Sequence, residues 1–219
     1  MRLNHKKTKL MLFNPCISKD FVPLLSLDGI EISMVEETRL LGLVLRSDLS
    51  WSSNTDNMVT RSNKKLWFIR RLKKLGASNE DLIDLYQKHV LSILEYAAPV
   101  WHSSLISEDR LKLERIQKSA LHIILGENYK SYTTALKLTG MKTLFENRRK
   151  ICLKFTRKSL KSLKVRKWFK INTLETTTRH EQPKYKKVYY RTDRYKNSPI
   201  SYLTNLYNEM EEQTWSVQD

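Results

Sequence analysis

The chain is poor in cysteine, in glycine and in long apolar runs. Its 219 residues include two cysteines, Cys16 and Cys152, and five glycines. Two lone cysteines build neither a disulfide scaffold nor a four-cysteine zinc site, and a reducing, intracellular compartment is the default. Five glycines leave no Gly-rich phosphate loop, and the sequence has neither a Gly-x-Ser-x-Gly elbow nor a Cys/His nucleophile arrangement. No run of about 18 apolar residues exists, so no membrane span is expected. Residues 1–12 carry charge without an apolar stretch and a small-residue cleavage site, which reads as no secretory signal. Internal repeats and low-complexity tracts are absent. His89, Glu95 and His102 have spacings of six and seven, which do not match a helical metal pair. His89 falls on an apolar stripe and reads as a core histidine. Glu80, Asp81 and Asp84 read as a helix start before they read as a metal cluster. No metal and no cofactor are expected for this chain.

What the sequence has is positive charge. Forty Lys and Arg against 23 Asp and Glu give +17. A protein this basic calls for a polyanion, with nucleic acid the first partner class and an anionic membrane surface the second. The excess is concentrated. Residues 142–196 hold 19 basic and 4 acidic residues, leaving the rest of the chain near balance. A second cluster, Arg61, Lys64, Lys65, Arg70, Arg71, Lys73 and Lys74, contains no acid.

The expected fold is α+β and mainly α: a short N-terminal antiparallel β segment, a helical bundle, and a basic, partly irregular C-terminal region. Four stretches follow, at 1–50, 51–140, 141–197 and 198–219. In the first, 21–27 and 30–35 flank Asp28-Gly29, a pair suited to a type I′ hairpin turn. Ile30, Ile32 and Met34 alternate with Glu31 and Ser33, predicting one buried face. Residues 40–45 read as a strand covered on both faces. Helices are expected at 52–75 with Gly76 as the stop, from Ser78 with a stripe of Leu82, Leu85, Tyr86, His89 and Ile93, and from Ser107 to Gly126. Pro99 marks a break. Further helices are expected at 132–138, 143–160 and 199–208, with 161–197 loosely structured unless bound.

The first long helix carries the clearest binding signal. At about 100° per residue, Lys64, Trp67, Arg71 and Lys74 share one face, and Met58, Ser62, Leu66, Ile69 and Leu72 share another. Cations pair with phosphates and an indole stacks on a sugar or base. The alternative is a solvated face with Trp67 tucked against a neighbour. In the helix at 143–160, Arg148, Arg149, Lys150, Lys154, Arg157, Lys158 and Lys161 suit phosphate tracking, with Ile151, Phe155 and Leu144 on the packing side. Few acids compensate them, unlike the mixed signs of an inert surface helix. Residues 184–195 interleave tyrosines with Lys and Arg, which suits a single-strand clamp or a tail without function.

Several of these segments resemble the reverse transcriptases of LINE-type non-LTR retrotransposons. Leu3-Asn4-His5-Lys6-Lys7-Thr8 followed by Leu10-Met11-Leu12-Phe13 resembles the strand after the catalytic aspartates. Leu40-Leu41-Gly42-Leu43 and then Asp48-Leu49-Ser50-Trp51 are similar to the primer-grip strand and the start of the thumb. Leu94-Glu95-Tyr96-Ala97-Ala98-Pro99-Val100-Trp101, Leu113-Glu114-Arg115-Ile116-Gln117-Lys118 and Arg148-Arg149 resemble signatures of the helical region that follows. Together they run in order over residues 2–160, and 199–208 is similar to the family's C-terminal end.

The resemblance implies that Lys7 is the motif lysine near the incoming nucleotide, that Leu41 and Gly42 hold the primer end, and that helix 52–75 lies along an RNA or RNA–DNA duplex. It also implies a departure. The family's centre is a Tyr/Phe-x-Asp-Asp turn plus an earlier Asp holding two Mg²⁺ ions, and this sequence has no Asp-Asp pair. The chain is therefore expected to be the C-terminal third or less of such a polymerase, without the palm and fingers segment, and inactive alone. Nucleic-acid binding by Lys64, Trp67, Arg71, Lys74, Arg148, Arg149 and Lys158 is its expected residual function. A basic interaction module for nuclear import is the competing reading, and residues 164–170 and 184–187 suit a nuclear or nucleocytoplasmic protein.

Overall fold

Asp28 and Gly29 have φ of +52° and +77°, the two left-handed residues that a type I′ turn requires. In the computed structural model, which describes residues 4, 7–13, 25–171, 185–186 and 189–215 (the side chains of 211–215 apart), they join β1 (Ser26–Leu27) to β2 (Ile30–Glu31) as an antiparallel pair. The outer part of the expected first arm, 21–24, lies outside the described residues, as do Cys16 and part of the 184–195 stretch. The arms do not bury a face. Ile30 and Met34 are both exposed, because a two-stranded ribbon has nothing packed on either side. One parallel bridge, Leu10 to Met34, ties the N-terminal segment to this hairpin.

Residues 40–45 are not one covered strand. Leu41 and Gly42, at φ +48° and +87°, form a second two-residue turn between β3 (Glu37–Leu40) and β4 (Leu43–Arg46). Leu41 is 83% exposed at the tip, while Leu43 and Val44 turn inward. The Val44 N–H donates to Oδ1 of Asn54 at 3.1 Å, which pins β4 to the first helix.

The rest is helical. α1 (Ser52–Lys74) buries Met58, Ser62, Leu66 and Ile69, the face expected from spacing. It stops where the sequence says it should. Gly76 takes φ +86°, its N–H donates to Lys73 O, and the Ala77 N–H donates to Leu72 O, the paired bonds of a Schellman motif. Ser78 then caps α2 (Asn79–Tyr86) by accepting from the Asp81 N–H.

α2 runs into a π-helical turn (Gln87–Leu91) and then α3 (Ser92–Glu95). The π turn changes the buried stripe. Leu82, Tyr86, Val90 and Leu94 are buried at steps of four, because the wider turn holds an extra residue. His89 is rotated outward and is exposed, so it is not a core histidine. Tyr96 ends the segment and Ala97, at φ +52°, redirects the chain into α4 (Ala98–Trp101), with Pro99 in its first turn.

α5 (Ser107–Leu125) packs along α1. Its N-cap is Ile106, without a side-chain cap bond, so Ser107 is the first helical residue and not the cap. α6 (Tyr132–Thr139) ends at Gly140, and α7 (Leu144–Lys161) opens with a capping box between Thr143 and Glu146. These helices close a core around Leu66, Ile69, Tyr86, Leu94, Trp101, Leu113 and Leu144.

A second, smaller core sits between α7 and α10 (Pro199–Trp215), with Cys152, Leu203 and Leu206 at its centre. Phe169, which follows α8 (Leu163–Arg166), and Tyr185 plug into it. Asn208 clasps Tyr185 from both sides, its Nδ2–H donating to the carbonyl at 2.8 Å and its Oδ1 accepting from the N–H at 3.4 Å. The expectation of a loose 161–197 thus fails at these two aromatics, whose burial offsets the ordering cost. α9 (Asp193–Lys196) is capped by Thr192 and leads into α10.

Candidate nucleic-acid interface

α1 packs on the bundle with one side and offers the other to solvent. Lys64, Trp67, Arg71 and Lys74 are all exposed. Trp67 is 57% exposed, so it is not tucked against a neighbour. The Arg71 guanidinium lies 5.4 Å from the centre of its ring, a cation–π contact that holds both side chains outward. Arg61, Lys65 and Arg70 extend the exposed charge. Among the described residues none of these cations has a carboxylate partner. The one acid of α1, Asp56, is taken by Lys112 of α5 at 3.1 Å. Lys73 is turned aside, its ammonium donating to Asn79 Oδ1 at 2.6 Å.

On α7 the basic residues separate. Arg148 does not face solvent. It is 1% exposed, along a buried side made of Leu144, Arg148, Cys152, Thr156 and Ser159. This corrects its assignment to a phosphate-tracking face and also moves Phe155, which is exposed, off the packing side. The reason is a set of buried partners that only the tertiary fold assembles. The guanidinium lies 5.5 Å from the Trp101 ring centre, and its Nε–H donates to His102 Nδ1 at 3.3 Å. Burial pushes Arg148 down to about 10, against the upward pull of Glu114 and Glu95. Burial likewise pushes His102 down to about 3, with Arg148 and Arg110 adding to it. Burial raises the Glu95 carboxyl above its ordinary value. Nη1 of Arg148, the Tyr86 hydroxyl and Oε1 of Glu95 have no hydrogen-bond partner among the described residues. This polar centre joins α2, α3, α5 and α7 and is structural.

Arg149 is half-exposed and pairs with Glu209 of α10 at 3.1 Å. Lys158 is exposed on the last turns of α7, as are Lys154, Arg157 and Lys161. A feature without a sequence signal adds to this side. The nearby positive charge of Lys142 holds the Lys150 ammonium below its ordinary value.

The remaining expected residues lie in the β segment. Lys7 is exposed in a turn closed by its own N–H on Asn4 O at 3.0 Å. Leu41 and Gly42 are the tip of the β3–β4 hairpin. The Tyr96 hydroxyl donates to the Leu41 carbonyl at 2.8 Å, and a Cβ at Gly42 would lie 3.4 Å from the Tyr96 ring. The tip is therefore docked on the helical region.

Among the described residues no group of three or more His, Cys, Asp and Glu could hold a metal ion, and no helix is long and apolar enough to cross a membrane. No family model matches the chain, and no curated protein or solved structure matches it.

The segments that carry the resemblance meet one another in the fold. Leu94, Ala98 and Trp101 from one, Leu113, Ile116 and Gln117 from another, and Arg148 from a third are all buried. They form packing surfaces and not the exposed basic face.

Proposed function

We propose that the chain is a thumb-side, C-terminal part of a LINE-type reverse transcriptase that grips an RNA–DNA duplex through α1. The observation that carries the reading is the exposed, acid-free row of Lys64, Trp67, Arg71 and Lys74 with the Arg71–Trp67 stack. Support comes also from the docking of the Leu41-Gly42 tip on Tyr96, which joins two of the resembling segments through one hydrogen bond. Duplex recognition of this kind reads backbone shape and charge rather than sequence.

The Mg²⁺ ions of such a polymerase do not fit the donor set of these residues. The sequence has no Asp-Asp pair, and no metal-holding cluster occurs among the described residues. Nucleotide transfer would need aspartates from outside these residues. On this reading the protein works in the nucleus, and the exposed cations Lys164, Arg166 and Lys167 suit import.

The test is binding of a labelled RNA–DNA hybrid by the full chain across a salt series. About six phosphate contacts give a log–log slope near −5. Replacing Lys64, Arg71 and Lys74 with Ala is expected to reduce the slope by about 2–3. A response flat in salt, or a slope indifferent to these three residues, rejects the duplex grip and leaves the import module.

A further inference from the structure

The described structure also carries a concavity that no residue of α1 lines. It is a cleft of about 890 Å³ between α10, α4 and the segment after α8, and its walls are mostly apolar. Phe155, Trp168, Tyr189 and Tyr195 line it, and each is at least 40% exposed. Open aromatic faces of this kind are costly to leave wet and offer stacking platforms.

Two lysines complete the wall, Lys170 and Lys186. They are 16 residues apart in sequence and meet because Ile171 and Tyr185 form an antiparallel bridge. The Lys186 N–H donates to the Lys170 carbonyl at 2.9 Å. Directly opposite residues of such a pair share one face, with Cβ atoms roughly 5 Å apart, and like charges there repel. Tyr185 and Phe169 are anchored in the second core, which holds the backbones of the two lysines side by side. Neither ammonium has a carboxylate partner among the described residues. An anion between them would be attracted by both ammonium groups, and an aromatic ring beside that anion would fill the cleft.

We propose that this cleft binds single-stranded RNA, with a base stacked against Trp168 and Tyr195 and the adjoining phosphate between Lys170 and Lys186. The choice of RNA rests on the duplex reading. The cleft itself is independent of the α1 face. Charge complementarity favours a polyanion over a peptide, since 142–196 carries 19 basic residues and only 4 acidic ones.

The experiment titrates the full chain with a labelled single-stranded RNA of about 12 nucleotides, with the same strand made abasic, and with the RNA–DNA hybrid. Trp168→Ala is expected to weaken single-strand binding about ten- to a hundredfold. It should leave hybrid binding and the unfolding midpoint unchanged, because Trp168 belongs to neither core. The abasic strand should bind the unmodified protein as weakly as the natural strand binds Trp168→Ala. Lys170→Ala with Lys186→Ala should reduce the salt slope for the single strand by about 1.4. Equal affinity for abasic and natural strands overturns the proposal, as does a Trp168→Ala variant that binds RNA normally. A Trp168→Ala variant that only converts a dimer to a monomer also overturns it and assigns the cleft to a second copy. Loss of hybrid binding with retained, base-dependent single-strand binding would sink the duplex grip and spare the cleft.

Discussion

The Tyr96 hydroxyl and the Leu41 carbonyl, 55 positions apart, share a 2.8 Å hydrogen bond. It fixes on the helical bundle an exposed hairpin tip whose turn places a leucine in the left-handed region. Leu41 sits at φ +48°, a conformation that costs an L-residue about 1–2 kcal/mol and that Asn tolerates better. Leu41→Asn therefore makes an Asn-Gly type I′ turn and is expected to stabilise the protein by about 0.5–1 kcal/mol. The Tyr96 bond survives, since it is made to the backbone. Tyr96→Phe removes it and should cost about 0.5–1 kcal/mol, the low end for a partly exposed bond. Thermal unfolding reads both. If Leu41 contacts a primer end, Leu41→Asn gains stability and loses hybrid affinity together. Gained stability with unchanged affinity removes Leu41 from the interface.

Arg148 and its neighbour Arg149 are expected to behave oppositely. Arg148 is buried against Trp101 and His102, with Glu95 and Glu114 nearby. Arg148→Ala leaves buried polar groups without their counter-charge and should cost about 3–5 kcal/mol. Arg148→Lys should recover little, because an ammonium cannot reproduce the planar guanidinium packed on an indole. Arg149 shares an exposed pair with Glu209, and Arg149→Ala should cost less than about 1 kcal/mol. Urea midpoints of the three variants check this. Equal losses for Arg148→Ala and Arg149→Ala would contradict the buried assignment.

His102 gives the protein an acid sensitivity of predictable sign. Its native value is about 3 and its ordinary one 6.5, so the unfolded chain binds the extra proton between those limits. Stability is full above pH 6.5 and falls on acidification, by up to ~1.4 kcal/mol per pH unit. Glu95 acts in the other sense. Its raised native pKa makes the folded state take up a proton first as pH falls, which offsets part of the loss. His102→Gln should flatten the stability profile between pH 6.5 and 4.5, measured by urea unfolding at each pH. An unaltered slope would show that His102 takes up its proton equally in the folded and unfolded states, against its burial.

The parts legible in the sequence are those fixed by local chemistry. Asp28-Gly29, the Gly76 stop, the Ser78 cap and the helix start at Thr143 each depend on residues within one turn, and each forms as read. The two faces of α1 were legible because a straight helix keeps a 3.6-residue period over its length. Three features were not. The π turn at Gln87–Leu91 shifts the period and turns His89 outward, with no local residue to announce it. Leu41 occupies a turn position that normally takes Asn or Gly, so 40–45 resembled one strand. Arg148 lies in a run of cations, and its burial depends on Trp101 and His102, more than forty residues earlier. The cleft is hidden for the same reason, since Lys170 and Lys186 meet only through a long-range bridge.

The N-terminal hairpins should make the isolated protein self-associate. β1–β2 and β3–β4 are separate two-stranded sheets, and among the described residues the Leu10–Met34 bridge is the only further pairing beside them. Ile30 and Leu40 remain open to solvent on them, as do Met34 between the two hairpins and Leu25 and Phe13 before them in sequence. Unpaired edges beside exposed aliphatic side chains are templates for association. Light scattering should therefore rise with protein concentration, together with fluorescence of a dye that binds apolar surface. Ile30→Thr with Met34→Lys should suppress both signals while changing stability by no more than about 0.5 kcal/mol, as expected for exposed sites. The helical bundle supplies the internal control, because Trp67→Ala, on the opposite kind of surface, should leave association unchanged. Association that persists in the hairpin variant and disappears in Trp67→Ala would move the sticky surface from the hairpins to α1.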